Sequence, residues 1–116
     1  MAFRFEDLQV WHKAIDLGEH INQLTKTFPK EEIYILTSQI KRAADSVVLN
    51  IAEGSTGQSK AVFKLFLSYS LRSAIEVVSC LFIAKKRGYI SEESFKNLYS
   101  EYELLVKMIT SLKNSF

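Results

Sequence analysis

His12, Asp16 and His20 follow one another at four-residue steps, the spacing that lines side chains along one face of a helix. Imidazole and carboxylate groups are ligands for a divalent metal such as zinc. These three span two helical turns, and no other cluster of His, Cys or paired acids stands in the chain. Bundle di-iron sites need Glu-x-x-His motifs projecting inward; neither histidine follows a Glu at that distance. The trio therefore reads as solvated surface, and no metal or cofactor is expected. Cys80 is the only cysteine. A nucleophilic thiol needs a base and a lowered pKa, and no histidine is near it in the sequence, so a buried inert thiol is expected. The segment GSTGQSK, Gly54 to Lys60, carries Gly, Ser and Lys before a helix but lacks the P-loop spacing and the preceding strand. It reads as an interhelical loop. With no nucleophile–base pair and no metal cage, an enzyme is not expected.

Binding is the remaining chemistry. Lys41-Arg42, Lys60 with Lys64, Arg72, and Lys85-Lys86-Arg87 supply local positive charge. Phosphate contact requires many such groups converging in space, and Asp45, Glu53 and Glu76 interrupt them. Fifteen Lys+Arg against thirteen Asp+Glu leave a net charge of +2, well short of the balance of a dedicated nucleic-acid binder. An oligomer would repeat the patch around an axis and build a strong field from this small charge. RNA or DNA is thus a candidate partner, and a protein partner is the rival.

The elements that must position these residues are helices. At 116 residues and 47% hydrophobic content the chain suits one domain, residues 1–116, able to bury roughly two-thirds of its unfolded surface. No apolar run is expected to span a membrane, the start of the chain does not read as a secretory signal, and a single cysteine suits a reducing cytoplasm. Four Gly and one Pro leave little to interrupt long helices. The first helix is predicted from Glu6 or Asp7 to Thr27, with Leu8, Trp11, Ala14, Ile15, Gly18, Ile21, Thr25 and Phe28 inward and Val10, Leu17 and Leu24 widening the stripe. Phe28-Pro29 breaks it. The second is predicted from Lys30 to Glu53, with Ile33, Leu36, Ile40, Ala43, Ala44, Val47 and Ile51 inward and Gly54 stopping it in the left-handed conformation. Ser59 caps a third helix to Arg87, with Phe63, Phe66, Leu67, Ser70, Ala74, Val77, Leu81 and Ala84 inward and Gly88 ending it. Ser91 opens the fourth, in which Phe95, Leu98, Tyr102, Leu105, Ile109, Leu112 and Phe116 step by three and four without exception. Short connections between such helices give an all-α, antiparallel up-down-up-down four-helix bundle.

Two helices carry more apolar surface than one bundle uses. The third has Leu65, Ile75 and Ile83 on its outer face beside Arg72 and Glu76, and the second has Ile35 and Leu49 away from its core seam. Aliphatic residues mixed with a few pairing charges suit a subunit interface, so a homo-oligomer is expected. Ser38, Gln39, Arg42, Asp45, Asn50 and Glu53, on the polar side of the second helix, are available to fix packing or subunit contacts.

The segment SQIKRAADSVVLNIAEGS closely resembles the signature of the four-helix bundle proteins encoded in intervening sequences of bacterial 23S ribosomal RNA genes. FEDLQVWHKAIDL, LTKTFPKEEIYILTSQ, FKLFLSYSLRSAIE and the GYIS turn match the same family, so the resemblance covers nearly the whole chain. It implies a ring-like homopentamer of bundles, and a structural role for Ser38, Gln39, Arg42, Ala43, Ala44, Asn50, Ile51, Glu53 and Gly54. Related accessory proteins of diversity-generating retroelements share the bundle and pentamer and bind a reverse transcriptase and nucleic acid. The resemblance therefore implies an RNA-binding or chaperone-like accessory factor, or alternatively an adaptor for such a protein.

Overall fold

The computed structural model describes residues 2–116. Four helices, α1 (Gln9–Thr25), α2 (Leu36–Gly54), α3 (Lys60–Lys86) and α4 (Glu92–Asn114), follow two short 3-10 turns at Arg4–Asp7 and Lys30–Glu32. No strand occurs among the described residues. Each helix packs against the next, and α4 closes back on α1. The contacts run in opposite order along neighbouring helices: Val47 with Ser70, Ser46 with Ser73 and Gln39 with Glu76 between α2 and α3, Phe82 with Phe95 and Lys85 with Glu92 between α3 and α4. The bundle is all-α with antiparallel neighbours, as the helical periodicity and short connections predict.

The stripe of α4 forms as expected. Phe95, Leu98, Tyr102, Leu105 and Ile109 are buried, and Leu112 and Phe116 pack against the core edge. Burying a side chain of this size contributes about 1.5–3 kcal/mol. Ser59 Oγ accepts from Val62 N at 3.1 Å and Ser91 Oγ from Ser94 N at 3.0 Å, so both predicted caps are made. Gly88 takes φ +78° after α3; its N–H donates to Lys85 O and the next, from Tyr89, to Ala84 O. That is the paired closure of a left-handed helix end.

Three expectations fail, each for a physical reason. The chain folds a 3-10 turn before α1, because Phe5 turns in to lie 4.7 Å from the Trp11 ring and Phe3 N donates to Glu6 Oε2. The buried stripe of α1 is accordingly Val10, Ala14, Leu17 and Ile21, with Thr25, while Ile15 is left exposed. Second, α2 begins at Leu36 rather than Lys30, and Ile33 is exposed. Glu32 causes the break: its buried carboxylate turns inward to accept from Tyr89 Oη at 2.7 Å and Arg87 Nη1 at 2.9 Å, and faces the first N–H of α2, on Leu36, at 3.5 Å. Third, Gly54 is helical and has no positive φ. It is glycine because α3 crosses there: a Cβ would lie 2.7 Å from Phe66 Cβ and 3.0 Å from Phe63 Cδ1. By length and composition α3 is apolar enough to cross a membrane, and only a third of its most apolar 18-residue window is buried. The reason is that apolar residues lie on its outer face as well as its inner one.

The α2–α3 contact is tight because its residues are small. Ser70 Oγ, fully buried, donates to Val47 O at 3.0 Å, and Ser73 Oγ to Ser46 Oγ at 3.0 Å. Asn50 Nδ2 closes the series on Ser46 O and Oγ.

Replacing Gly54 by Ala must push Phe66 or the helix aside, at a cost of about 1–3 kcal/mol. Gly88→Ala meets no neighbour but sits at positive φ, for about 1–2 kcal/mol. Urea unfolding should show both losses, and an unchanged Gly54→Ala midpoint would contradict the close crossing. The Tyr89 hydrogen bond, followed by the Leu36 amide and Arg87, outweighs burial and holds the Glu32 carboxyl below the ordinary carboxylate range. A depressed carboxylate pKa gives stability that is present above the unfolded value, about 4.3, and is lost as pH falls through the folded value. Wild-type stability should therefore fall in that acid window more steeply than that of Glu32→Gln. Parallel acid profiles would remove the clasp.

Candidate interaction surfaces

Catalytic chemistry finds little support in the arrangement. His12, Asp16 and His20 are exposed on α1; His12 Nε2 lies 2.6 Å from Glu6 O, and its ring packs on Trp11. No group of three metal-ligating side chains converges among the described residues. Cys80 is buried, and burial pushes its thiol pKa up, with the Glu76 charge adding to the shift. That direction disfavours the thiolate. The GSTGQSK segment is a loop with Gly57 at φ +87°.

The predicted cations do not form one patch. Lys60 and Lys64 lie at one end of α3, and Lys85, Lys86 and Arg87 at the other, 27 residues or about 40 Å apart at 1.5 Å per residue. Arg87 is tied to Glu32 and Lys85 pairs with Glu92 at 2.9 Å. Lys41 and Arg42 are exposed on α2, where Arg42 Nη2 donates to Ser38 Oγ at 3.0 Å. Arg72 stands over the Tyr69 ring, 6.0 Å from its centre. Within one protomer these groups point outward at separate places.

The interface candidates are brought together more closely. Ile35 and Ile75 are each 62% exposed, and Leu49 is 58% exposed. Leu65 and Ile83 are exposed on the same α3 surface. A shallow groove of about 510 Å³ between α2 and α3 is lined by Tyr34, Ile35, Gln39, Arg42, Ala43, Ser46 and Glu76. Its polar wall is already ordered, with Gln39 Nε2 donating to Glu76 Oε2 at 3.0 Å. Asp45 and Leu49 border a second groove of about 480 Å³, between α1 and α2, which also contains the unexpected outward residue Ile15. Glu53 is exposed near the end of α2, whereas Asn50 is spent on Ser46 inside the protomer. Ser38, half-buried, serves Arg42.

One feature escaped the sequence reading. Phe82 of α3 and Tyr99 of α4 are exposed, edge to face with ring centres 6.1 Å apart, and both rest on the buried ring of Phe95. Phe82 lies on neither the inner seam nor an obvious cluster in the sequence, and its partners are contributed by another helix. Only the presence of an aromatic residue at a solvent-facing register of α3 signals it.

Comparison with known proteins fits this geometry. No curated protein matches the chain. A crystal structure of a protein of unknown function from the S23 ribosomal protein family of Bacteroides thetaiotaomicron is similar, with a TM-score of 0.84 and 25% sequence identity. The match covers 90% of this chain and 95% of that one. The model of the family described as 23S rRNA-intervening sequence protein matches residues 6–111. Neither description names an enzymatic activity. Four helices in antiparallel contact, the Ser38–Gly54 segment packed on α3, and a family match over nearly the whole chain agree: this chain belongs to the 23S rRNA-intervening sequence protein family.

Proposed function

We propose that the protein is a non-enzymatic, self-associating accessory factor of a reducing cytoplasm, which buries its α2–α3 face between copies and contacts RNA with cations gathered by assembly. The observation that carries this reading is the outer surface of α3 and α2. Ile35, Leu49, Leu65 and Ile75 stay exposed although the inner faces are filled, and α3 is the least amphipathic of the four helices. Apolar exposure repeated along two adjoining helices suits an interaction surface. A stable contact needs about 800 Å² from each partner, a modest share of a protomer surface of 6940 Å². A ring of five is the expected assembly, with its rim open to further protein partners.

RNA enters through charge and the family's connection with 23S rRNA intervening sequences. One protomer scatters its cations; several copies about an axis bring equivalent lysines and arginines onto one rim, where fields add. The second reading is a protein adaptor with no nucleic-acid binding of its own, and the pairing of Lys85 with Glu92 and Arg87 with Glu32 favours it, since paired cations release fewer counterions.

Light scattering on the purified chain should give about five times the 13.3 kDa protomer mass. Leu65→Glu or Ile75→Glu, placing charge on an exposed site, should reduce that mass while leaving helical content intact. A wild-type protomer that stays monomeric at all concentrations would overturn assembly. Structured RNA should be retained at low salt and lost as salt rises. An intact oligomer that shifts no RNA at low salt leaves the adaptor reading in place.

A further inference from the structure

We infer that Phe82 and Tyr99, with the lysines beside them, form a stacking platform for a single-stranded polynucleotide. This inference rests on the nucleic-acid reading above and gives it a site and a strand preference. Phe82 is 51% exposed and Tyr99 38%, side by side at the α3–α4 border. Their positions are set in advance. Phe95 beneath them is buried, 4.8 Å from Phe82 and 5.8 Å from Tyr99 between ring centres, so neither outer ring must be ordered when a ligand arrives.

The charge around the rings suits the same ligand. Lys85 Nζ lies 4.5 Å from the Phe95 ring centre and 2.9 Å from Glu92. Lys96 lies 4.0 Å from the other Glu92 oxygen, and Lys86 is exposed in the same turn as Lys85. Lys85 and Lys96 thus share one contacting carboxylate, and the exposed Lys86 has no carboxylate partner among the described residues, which leaves cationic groups at the edge of an aromatic surface. Aromatic rings flanked by cations are how proteins hold single strands, because every base offers a π-face while lysines follow the phosphates. A duplex hides its base faces within the stack, so this surface distinguishes a single strand from a duplex.

The test uses the full chain in its native assembly and measures fluorescence anisotropy with three probes at low salt. These are a mixed-sequence single-stranded RNA, the single-stranded DNA of the same sequence, and the RNA duplex. Single strands should bind more tightly than the duplex, and the RNA and DNA arms show whether the sugar matters. Phe82→Leu and Tyr99→Leu should each weaken single-strand binding about tenfold with oligomer mass and helical content unchanged, and Tyr99→Phe should retain it. Lys86→Gln should lower the salt slope by about 0.7. Leucine variants that bind like wild type, or a preference for the duplex, would overturn the platform while sparing the broader RNA reading. Leucine variants that alter the mass would assign the rings to a subunit contact and overturn it too. Failure of wild type to bind any probe at low salt would overturn the platform and the RNA reading together.

Discussion

The crossing of α2 and α3 constrains the rest of the molecule. At Gly54 there is no room for a side chain beside Phe66 and Phe63, and along the remainder of the seam Ser46, Ser70 and Ser73 keep the two backbones near. Small residues trade buried apolar area for proximity. Proximity then lets a serine hydroxyl reach a main-chain carbonyl on the opposite helix, satisfying a polar group that would otherwise cost free energy when buried. Two helices held this close offer no deep cleft between them. Their outer residues instead form a shallow groove, which Ile35, Gln39 and Arg42 of the α2 side line together with Glu76 of α3 although far apart in sequence. A face of that shape fits another protein surface better than it fits a small substrate.

The same geometry decides what the charges can do. Helix α3 runs nearly the length of the bundle, whose longest dimension is 43 Å, and carries its lysines at its two ends. Separations of that order exceed the screening length of about 8 Å at physiological salt. The two groups therefore act independently in a single protomer. Some are committed to holding the bundle together: Arg87 fastens the end of α3 to the turn before α2, and Lys13 of α1 meets Glu101 of α4. Lys41, Lys64 and Lys86 have no carboxylate partner among the described residues, so any collective positive field must come from copies set side by side.

How much of this could be read from the chain depended on whether the deciding interaction was local. The inner stripe of α4 was legible because Phe95 to Phe116 keeps one unbroken period of threes and fours, which the off-stripe Tyr99, Leu104, Val106 and Met108 do not match, and the Ser59 and Ser91 caps act within three residues. In α1, by contrast, apolar residues lie on more than half the circumference, and sequence spacing alone allowed two stripes. Packing of α1 against both α2 and α4, a tertiary constraint, chose Val10–Leu17 over Ile15–Gly18. Glu32 was misread for a similar reason. Acidic residues after Pro29 look like the first turn of a helix, but the partners that draw Glu32 inward stand 55 and 57 residues later. Gly54 was correctly singled out and wrongly explained: glycine at a helix end signals a turn by statistics and a crossing by packing, and only the position of Phe66 distinguishes the two. Among site residues, the outward Ile35, Leu49, Leu65 and Ile75 were legible because they exceed what the inner stripe can use. The Phe82–Tyr99 pair was not, since each ring gains its meaning from a residue on another helix.

Helix α3 thereby carries two kinds of surface, and their placement links them. Glu76 and Ser73 turn toward α2, while Phe82 and Lys85 turn toward α4. Ile75 lies two turns before Phe82 on nearly the same line of the helix, at the border between the surfaces. A copy seated on the α2 side would cover Ile35, Leu65 and the Gln39–Glu76 pair and leave the aromatic border at the edge of the contact. In the proposed assembly, association would exclude water from the flank of the rings that faces the contact. Assembly and ligand contact are for that reason expected to be coupled: whatever the rim binds also favours the oligomer, by the reciprocity that holds between any two linked equilibria.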